Sequence, residues 1–216
     1  NNRRNMFDIE YKGGNALVIS TKKAKLITDP KISLIGLKDL STKDAIELAT
    51  DERFALASPD AMLNIEGPGE YEVADFSIRG VAVERHIDAE TGKKQATMYR
   101  VEIGDVRMAI IGNINDNVTE DQLEELGVVD MIILPVGGGG YTLDGVKATK
   151  LVRKIDAKVV IPVHYADSSI HYEVPQDELD LFYKEFSGEV EKTAKLKIKS
   201  ASSLPLVPTI YEITRS

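Results

Sequence analysis

A change of rhythm at Ile111 limits the fold of this chain more than any other sequence feature. Before it, short β-like stretches follow one another through tight turns; after it, apolar strands alternate with helical patterns. Phe7-Asp-Ile9-Glu-Tyr11 alternates strictly, as a strand with one buried face should, and Lys12-Gly13-Gly14-Asn15 turns the chain into a second strand at Ala16-Leu17-Val18-Ile19. Further strands are expected at 25–28, 62–65, 70–73, 76–84, 97–103 and 106–111, with a polar hairpin loop at 88–94. Beyond Ile111, Thr119 and Gln122 form a capping-box pair, and Gly127 stops the helix they open. Buried strands follow at 129–135 and 158–163. A helix between them carries Leu143, Val146, Val152 and Ile155 on one face. Pro175 opens a third helix, with Leu179, Phe182 and Phe186 inward and Gly188 at its end, before strands at 195–199 and 209–213. Two packed sheets with helices outside satisfy this order. Residues 6–216 read as a single domain, and residues 1–5 are set aside as upstream sequence or a cloning remnant.

Composition removes several function classes. The 216 residues contain no cysteine, which excludes disulfides, thiolate metal sites and cysteine nucleophiles. A formal charge of −8 opposes nucleic acid and anionic membrane at long range. No apolar run reaches the ~18 residues of a membrane span, and no signal-like segment opens the chain, so a cytoplasmic location is expected. Neither a nucleic-acid nor a membrane partner is expected. Self-association is compatible with the acidic, strand-rich surface.

The stretch Gly137-Gly-Gly-Gly140-Tyr141-Thr-Leu-Asp-Gly145 lies between strand and helix, where phosphate-binding loops occur. Gly140 and Gly145 have phosphate-loop spacing, but Val146 stands where lysine is required. Lys147 comes one residue late, ~100° around a helix. The four glycines therefore read as a tight turn that lets backbone approach a neighbour closely.

Three histidines are present. His164 ends the apolar run Ile161-Pro162-Val163, where ligands and catalytic groups gather in α/β sheets, and where a histidine also serves as a simple strand cap. His86 precedes the hairpin loop and His171 follows a polar Asp-Ser-Ser loop. There is no H-x-H, H-E-x-x-H or G-x-S-x-G signature. Glu70 and Glu72 share one strand face and are expected to be solvated.

Taken in order, several phrases resemble one family. They are Ile27-Thr28-Asp29-Pro30, Gly67-Pro-Gly69-Glu70-Tyr71-Glu72-Val73, Ile78-Arg79-Gly80-Val81, Leu134-Pro135-Val136-Gly137-Gly138, Tyr141-Thr142-Leu143-Asp144 and Ile161-Pro162-Val163-His164-Tyr165. This set is similar to the metallo-β-lactamase superfamily, in particular its ascorbate-6-phosphate lactonase-like branch. The resemblance implies an α/β fold, a four-layer αββα sandwich, and a cleft holding one or two metal ions that activate hydroxide.

The family's H-x-H-x-D-H segment falls on Thr50-Asp51-Glu52-Arg53-Phe54-Ala55, which leaves Glu52 as its one possible ligand. The next ligand position falls on Arg85 or, shifted by one, His86. The bridging aspartate becomes Asn113, and the last ligand is His164. Asp29 matches a residue that orients a ligand from behind. An arginine ~4 Å from a dication costs about 8 kcal/mol at an effective dielectric of ~20, twice the figure for two unit charges. Thr50, Glu52, Arg85, Asn113, Gly138, Tyr141 and His164 are thus the expected cleft residues, with no metal cofactor expected. Any metal site would draw one zinc or manganese ion to His164, His86, Glu52 and Asp116. The replacement of nearly all ligand positions, while the scaffold phrases persist, points to a binding, assembly or regulatory module with a degenerate metal site. The alternative is a remodelled mononuclear or metal-free hydrolase of phosphodiesters, lactones or thioesters.

Overall fold

The computed structural model of the chain describes residues 6–86 and 95–216; the expected hairpin loop at 88–94 and residues 1–5 lie outside the described residues. In chain order the strands and helices are β1 (Phe7–Gly13), β2 (Ala16–Ser20), β3 (Lys25–Thr28), β4 (Ile46–Leu48), β5 (Leu63–Ile65), β6 (Gly69–Val73), β7 (Phe76–Glu84), β8 (Gln95–Ile103), β9 (Val106–Ile110), α1 (Glu120–Leu126), β10 (Met131–Pro135), α2 (Gly145–Ile155), β11 (Val159–Val163), α3 (Leu179–Phe186), β12 (Glu189–Thr193), β13 (Leu196–Ile198) and β14 (Thr209–Ile213). Six strands form one sheet in the order β13-β1-β2-β3-β4-β5. Eight form the other, in the order β12-β14-β11-β10-β9-β8-β7-β6.

Side-chain alternation explains the layering. Phe7, Ile9 and Tyr11 of β1, with Leu17 and Ile19 of β2, face the core between the sheets, where they meet Tyr99, Val101, Met131 and Ile161. The parallel strands β10 and β11 are buried on both faces. Met131 and Ile133 enter the inter-sheet core, while Ile132 and Leu134 pack under the helices with Ala148, Leu151 and Phe182. The continuous apolar runs of these strands follow directly. All three helices cover the eight-stranded sheet or its core cluster. Over the six-stranded sheet the outer layer is thin. Val18, Ile27 and Ala45 are covered by Leu40, and Ala16 by Ile170 and the 3-10 turn Ile32–Ile35.

Three local readings change. The third helix starts at Leu179 with Glu178 at its N-cap, so Pro175 lies before it, and Ser187 in a left-handed conformation ends it before Gly188. Val146 turns outward, 44% exposed, because α2 buries Ala148, Leu151 and Val152 instead. The strands β4 and β12 have no distinctive period: three residues are too few to show one, and Glu189–Thr193 is polar. By contrast, α1 begins at the Thr119 capping box, with both reciprocal hydrogen bonds formed, and ends at Gly127. Among the described residues no helix is long and apolar enough to cross a membrane.

Candidate functional site

One rim of the sandwich collects the chemistry. Strands β9, β10 and β11 run parallel, and their carboxyl ends release Gly112-Asn113, the glycine turn and His164 respectively. From the other sheet, the β1–β2 turn brings Gly14 and Asn15, and the ends of β3 and β4 bring Asp29 and Thr50-Asp51. The two sides are joined by hydrogen bonds. The His164 amide donates to Gly14 O (2.9 Å) and to the Tyr11 hydroxyl (3.1 Å), and Asn15 Nδ2 donates to Asn113 Oδ1 (2.9 Å).

His164 is buried in a left-handed backbone conformation (φ 54°), uncommon for a residue with a β-carbon and concentrated at functional sites. Gln176 Nε2 donates to Val174 O (3.0 Å), which turns its Oε1 toward His164 Nδ1 at 2.8 Å. The imidazole is therefore held with its proton on Nδ1 and its lone pair on Nε2. Burial lowers its pKa to about 4, so the ring is neutral at physiological pH; the bond to Gln176 opposes this shift without cancelling it. Tyr141 stacks on the ring at 5.6 Å and 14°, and Tyr172 closes the other side at 4.6 Å.

Asp29 is also buried and left-handed (φ 44°). It accepts from the Thr50 amide (2.8 Å) and from the Thr50 hydroxyl (2.7 Å), clamping that residue by backbone and side chain. Burial raises its pKa to about 7 against the opposing pull of these two bonds, with nearby Asp51 adding to the rise. Thr50 therefore spends its side chain on Asp29.

Asp51 and Arg85 form the most unusual contact. Both are buried, and Arg85 Nη1 donates to both Asp51 carboxylate oxygens at 3.1 Å. Asp51 Oδ1 also accepts from the Arg53 amide (3.0 Å) as the cap of the 3-10 turn Glu52–Phe54. Arg53 continues the network, donating to the Tyr141 hydroxyl (3.0 Å) and pairing with Glu173.

The expected site residues are thus distributed unequally. Thr50, Arg85, Asn113, Tyr141 and His164 lie on this rim, and Gly138 supports it by accepting from the Tyr141 and Thr142 amides. Glu52 is exposed, because the cap geometry turns Asp51 inward and its neighbour outward. Asp116 is exposed and pairs with Lys147 at 3.5 Å. His86 is half-buried beside Lys147, Asp116 and Asp144, and burial and Lys147 lower its pKa. Among the described residues no three histidine, aspartate or glutamate side chains converge as a metal site, so His164, His86, Glu52 and Asp116 are not brought together.

Asp51, Arg53, Asn15 and Gln176 are rim positions that sequence reasoning missed. Asp51 lay one residue from the aligned ligand position, and Gln176 was absorbed into a helix expected to open at Pro175. Asn15, whose Oδ1 has no hydrogen-bond partner among the described residues, lines a cavity of about 10 Å³ with Gly14, Asp29, Lys31, Phe54 and His164.

The glycine turn is required by close approach. A β-carbon on Gly137 would stand 2.1 Å from Gln176 Oε1 and 2.2 Å from His164 O, and the latter is backbone that cannot yield. Gly137→Ala is expected to lower the unfolding free energy by about 3 kcal/mol or more. Gly140→Ala meets no atom within 4 Å and carries only the strain of φ 71°, about 1 kcal/mol. Urea midpoints of the two variants check the order; equal losses would contradict the packing role.

The arrangement defines a class first: a double-sheet αβ sandwich with its cleft at the carboxyl ends of parallel strands. The chain belongs to the β-lactamase superfamily domain family, whose model matches residues 8–164. No curated protein matches the chain in sequence. Among solved structures, it is similar to a Thermotoga maritima protein described as a Zn-dependent hydrolase of the metallo-β-lactamase superfamily. That protein is 21% identical with TM-score 0.74, over 96% of this chain and 100% of that one. A Parabacteroides distasonis protein described as a metal-dependent hydrolase is 18% identical with TM-score 0.62, over 83% and 87%. CmlA, a diiron β-hydroxylase from Streptomyces venezuelae, is 10% identical with TM-score 0.63, over 97% of this chain and 53% of that one. At these identities the likeness carries the fold. The narrower resemblance to the ascorbate-6-phosphate lactonase-like branch rests on the sequence phrases alone.

These neighbours overturn the expectation that no metal cofactor belongs here: they are described as Zn-dependent, metal-dependent and diiron proteins, so the family is a metal-binding one. Of the donors on the rim, His164 Nε2 has the orientation of a ligand, with Gln176 holding the opposite nitrogen. Asp51 is engaged by Arg85, and the amide of Asn113 holds Asn15. This set does not fit a two-metal centre, and no chemical step is assigned to a metal.

Proposed function

We propose that the chain is a metallo-β-lactamase-fold module of binding, assembly or regulatory type, its cleft rebuilt around an ion pair. The buried Arg85–Asp51 contact carries this reading. It places a cation and its carboxylate at segments where the family resemblance places metal ligands, and the pair supplies neither a nucleophile nor an open coordination position. The small volume beside His164, about 10 Å³, gives the same reading further support.

A second reading rests on a different observation. His164 presents a neutral Nε2 lone pair fixed by Gln176, the state that a general base or a metal ligand needs. That reading is a hydrolase of phosphodiesters, lactones or thioesters. The test is a hydrolysis screen on these three substrate classes with zinc, manganese or iron(II) supplied. The module reading expects no turnover above that of the His164→Ala variant. Turnover that His164→Ala abolishes would establish the hydrolase instead.

A further inference from the structure

A second concavity lies beside this rim, on the helical face of the eight-stranded sheet, where Ile114 follows Asn113 and bridges to Arg85. It occupies about 340 Å³ between α1 and α2, within the size range of small-molecule sites. Its floor is apolar: Ile114 and Val118 after β9, Leu123 of α1, and Leu143, Val146 and Leu151 at α2. Val146 is 44% exposed there.

The rim of this groove has opposite polarity to the protein as a whole. Lys147, Lys150 and Lys154 recur at three- and four-residue spacing, so all three stand on one face of α2. Two acids also line the groove, and both are engaged. Asp116 pairs with Lys147 at 3.5 Å, and Asp144 caps α2 by accepting from the Lys147 amide at 2.9 Å. Lys150 and Lys154 make no ion pair among the described residues. Three lysines against two aspartates leave a local charge of +1 on a chain whose formal charge is −8.

We infer that this groove binds a small amphipathic carboxylate, with its hydrocarbon body on the floor and its carboxylate between Lys150 and Lys154. Apolar area supplies the affinity, and the unpaired ammonium groups select the negative end. Enclosure between two helices, at this volume, suits a single small molecule better than a peptide or a bilayer.

Isothermal titration of the full chain with sodium decanoate tests the assignment. Saturable binding is expected with Kd below about 1 mM, a modest affinity for a ligand of this size. Acetate, which lacks the body, should give no heat. Decanol, which lacks the charge, should bind at least about fivefold more weakly, and Lys150→Gln/Lys154→Gln should cost a similar factor. Val146→Glu should abolish binding, while His164→Gln should leave it unchanged. Val146, Lys150 and Lys154 are exposed, so thermal unfolding of their variants should match the parent.

Several results would overturn the inference. These are no saturable heat with decanoate, undiminished affinity in the lysine double variant, or loss of binding in His164→Gln. Pelleting with anionic phospholipid vesicles that the lysine variant loses would reassign the groove to a membrane surface. A dimer in sedimentation velocity that Val146→Glu dissociates would reassign it to a second copy.

Discussion

Arg85→Met is expected to lower the unfolding free energy by about 3–5 kcal/mol, the usual cost of removing one partner from a buried ion pair. The guanidinium is 6% exposed and its carboxylate partner 3%, so water cannot take over the lost contact. Asp51 would keep the Arg53 amide, one hydrogen bond where the carboxylate now has three. In a chain of 216 residues this loss corresponds to a fall in Tm of about 10 °C. The double variant Arg85→Met/Asp51→Asn should recover much of it, because position 51 then no longer carries a buried charge that has lost its cation. Thermal or urea unfolding of the two variants decides. A double variant no more stable than the single one would mean that Arg85 does not act through Asp51.

Removal of either perturbed group at the rim should change the pH profile of stability, with opposite sign. His164 has its pKa lowered from 6.5 to about 4, so between these values the unfolded chain binds the proton and stability falls as the pH drops. Asp29 has its pKa raised from 3.8 to about 7, so there the folded chain binds the proton and stability falls as the pH rises. Over roughly pH 4–6.5 the two slopes oppose each other, each at most about 1.4 kcal/mol per pH unit. Asp29→Asn removes the second and leaves stability rising with pH relative to the parent; His164→Gln removes the first and leaves it falling. Urea midpoints at three pH values, in a chelator so that no metal competes for His164, give the slopes. Parallel profiles in parent and variants would contradict the burial of both groups.

The sheets were legible where the period was long enough to show. The nine-residue β7 follows its expected bounds, and the Thr119 capping box forms as its spacing requires. Both are local patterns, set by side-chain alternation or by bonds within one turn. The three-residue β4 and the exposed β12 carry no such pattern, and Pro175 signals a helix start that tertiary contacts moved to Leu179. At the site, His164 and Arg85 were visible as residue types. Glu52, not Asp51, falls on a ligand position of the resembled segment, and side-chain direction cannot be read in a sequence. The 3-10 turn capped by Asp51 points the first outward and the second in.

By itself the sequence determined the double-sheet sandwich, since alternation and two-faced apolar strands report burial one residue at a time. It also determined that thiol chemistry is absent, for want of any cysteine. Only the tertiary structure decided what each polar residue at the rim does. Asp51 meets Arg85 across 34 residues, Asn15 meets Asn113 across 98, and Tyr11 meets His164 across 153. Such partners are set by strand order and by which strand ends share a rim, and no local period encodes either. Burial then moves the pKa values of His164 and Asp29 in opposite directions, because it disfavours whichever form carries the charge.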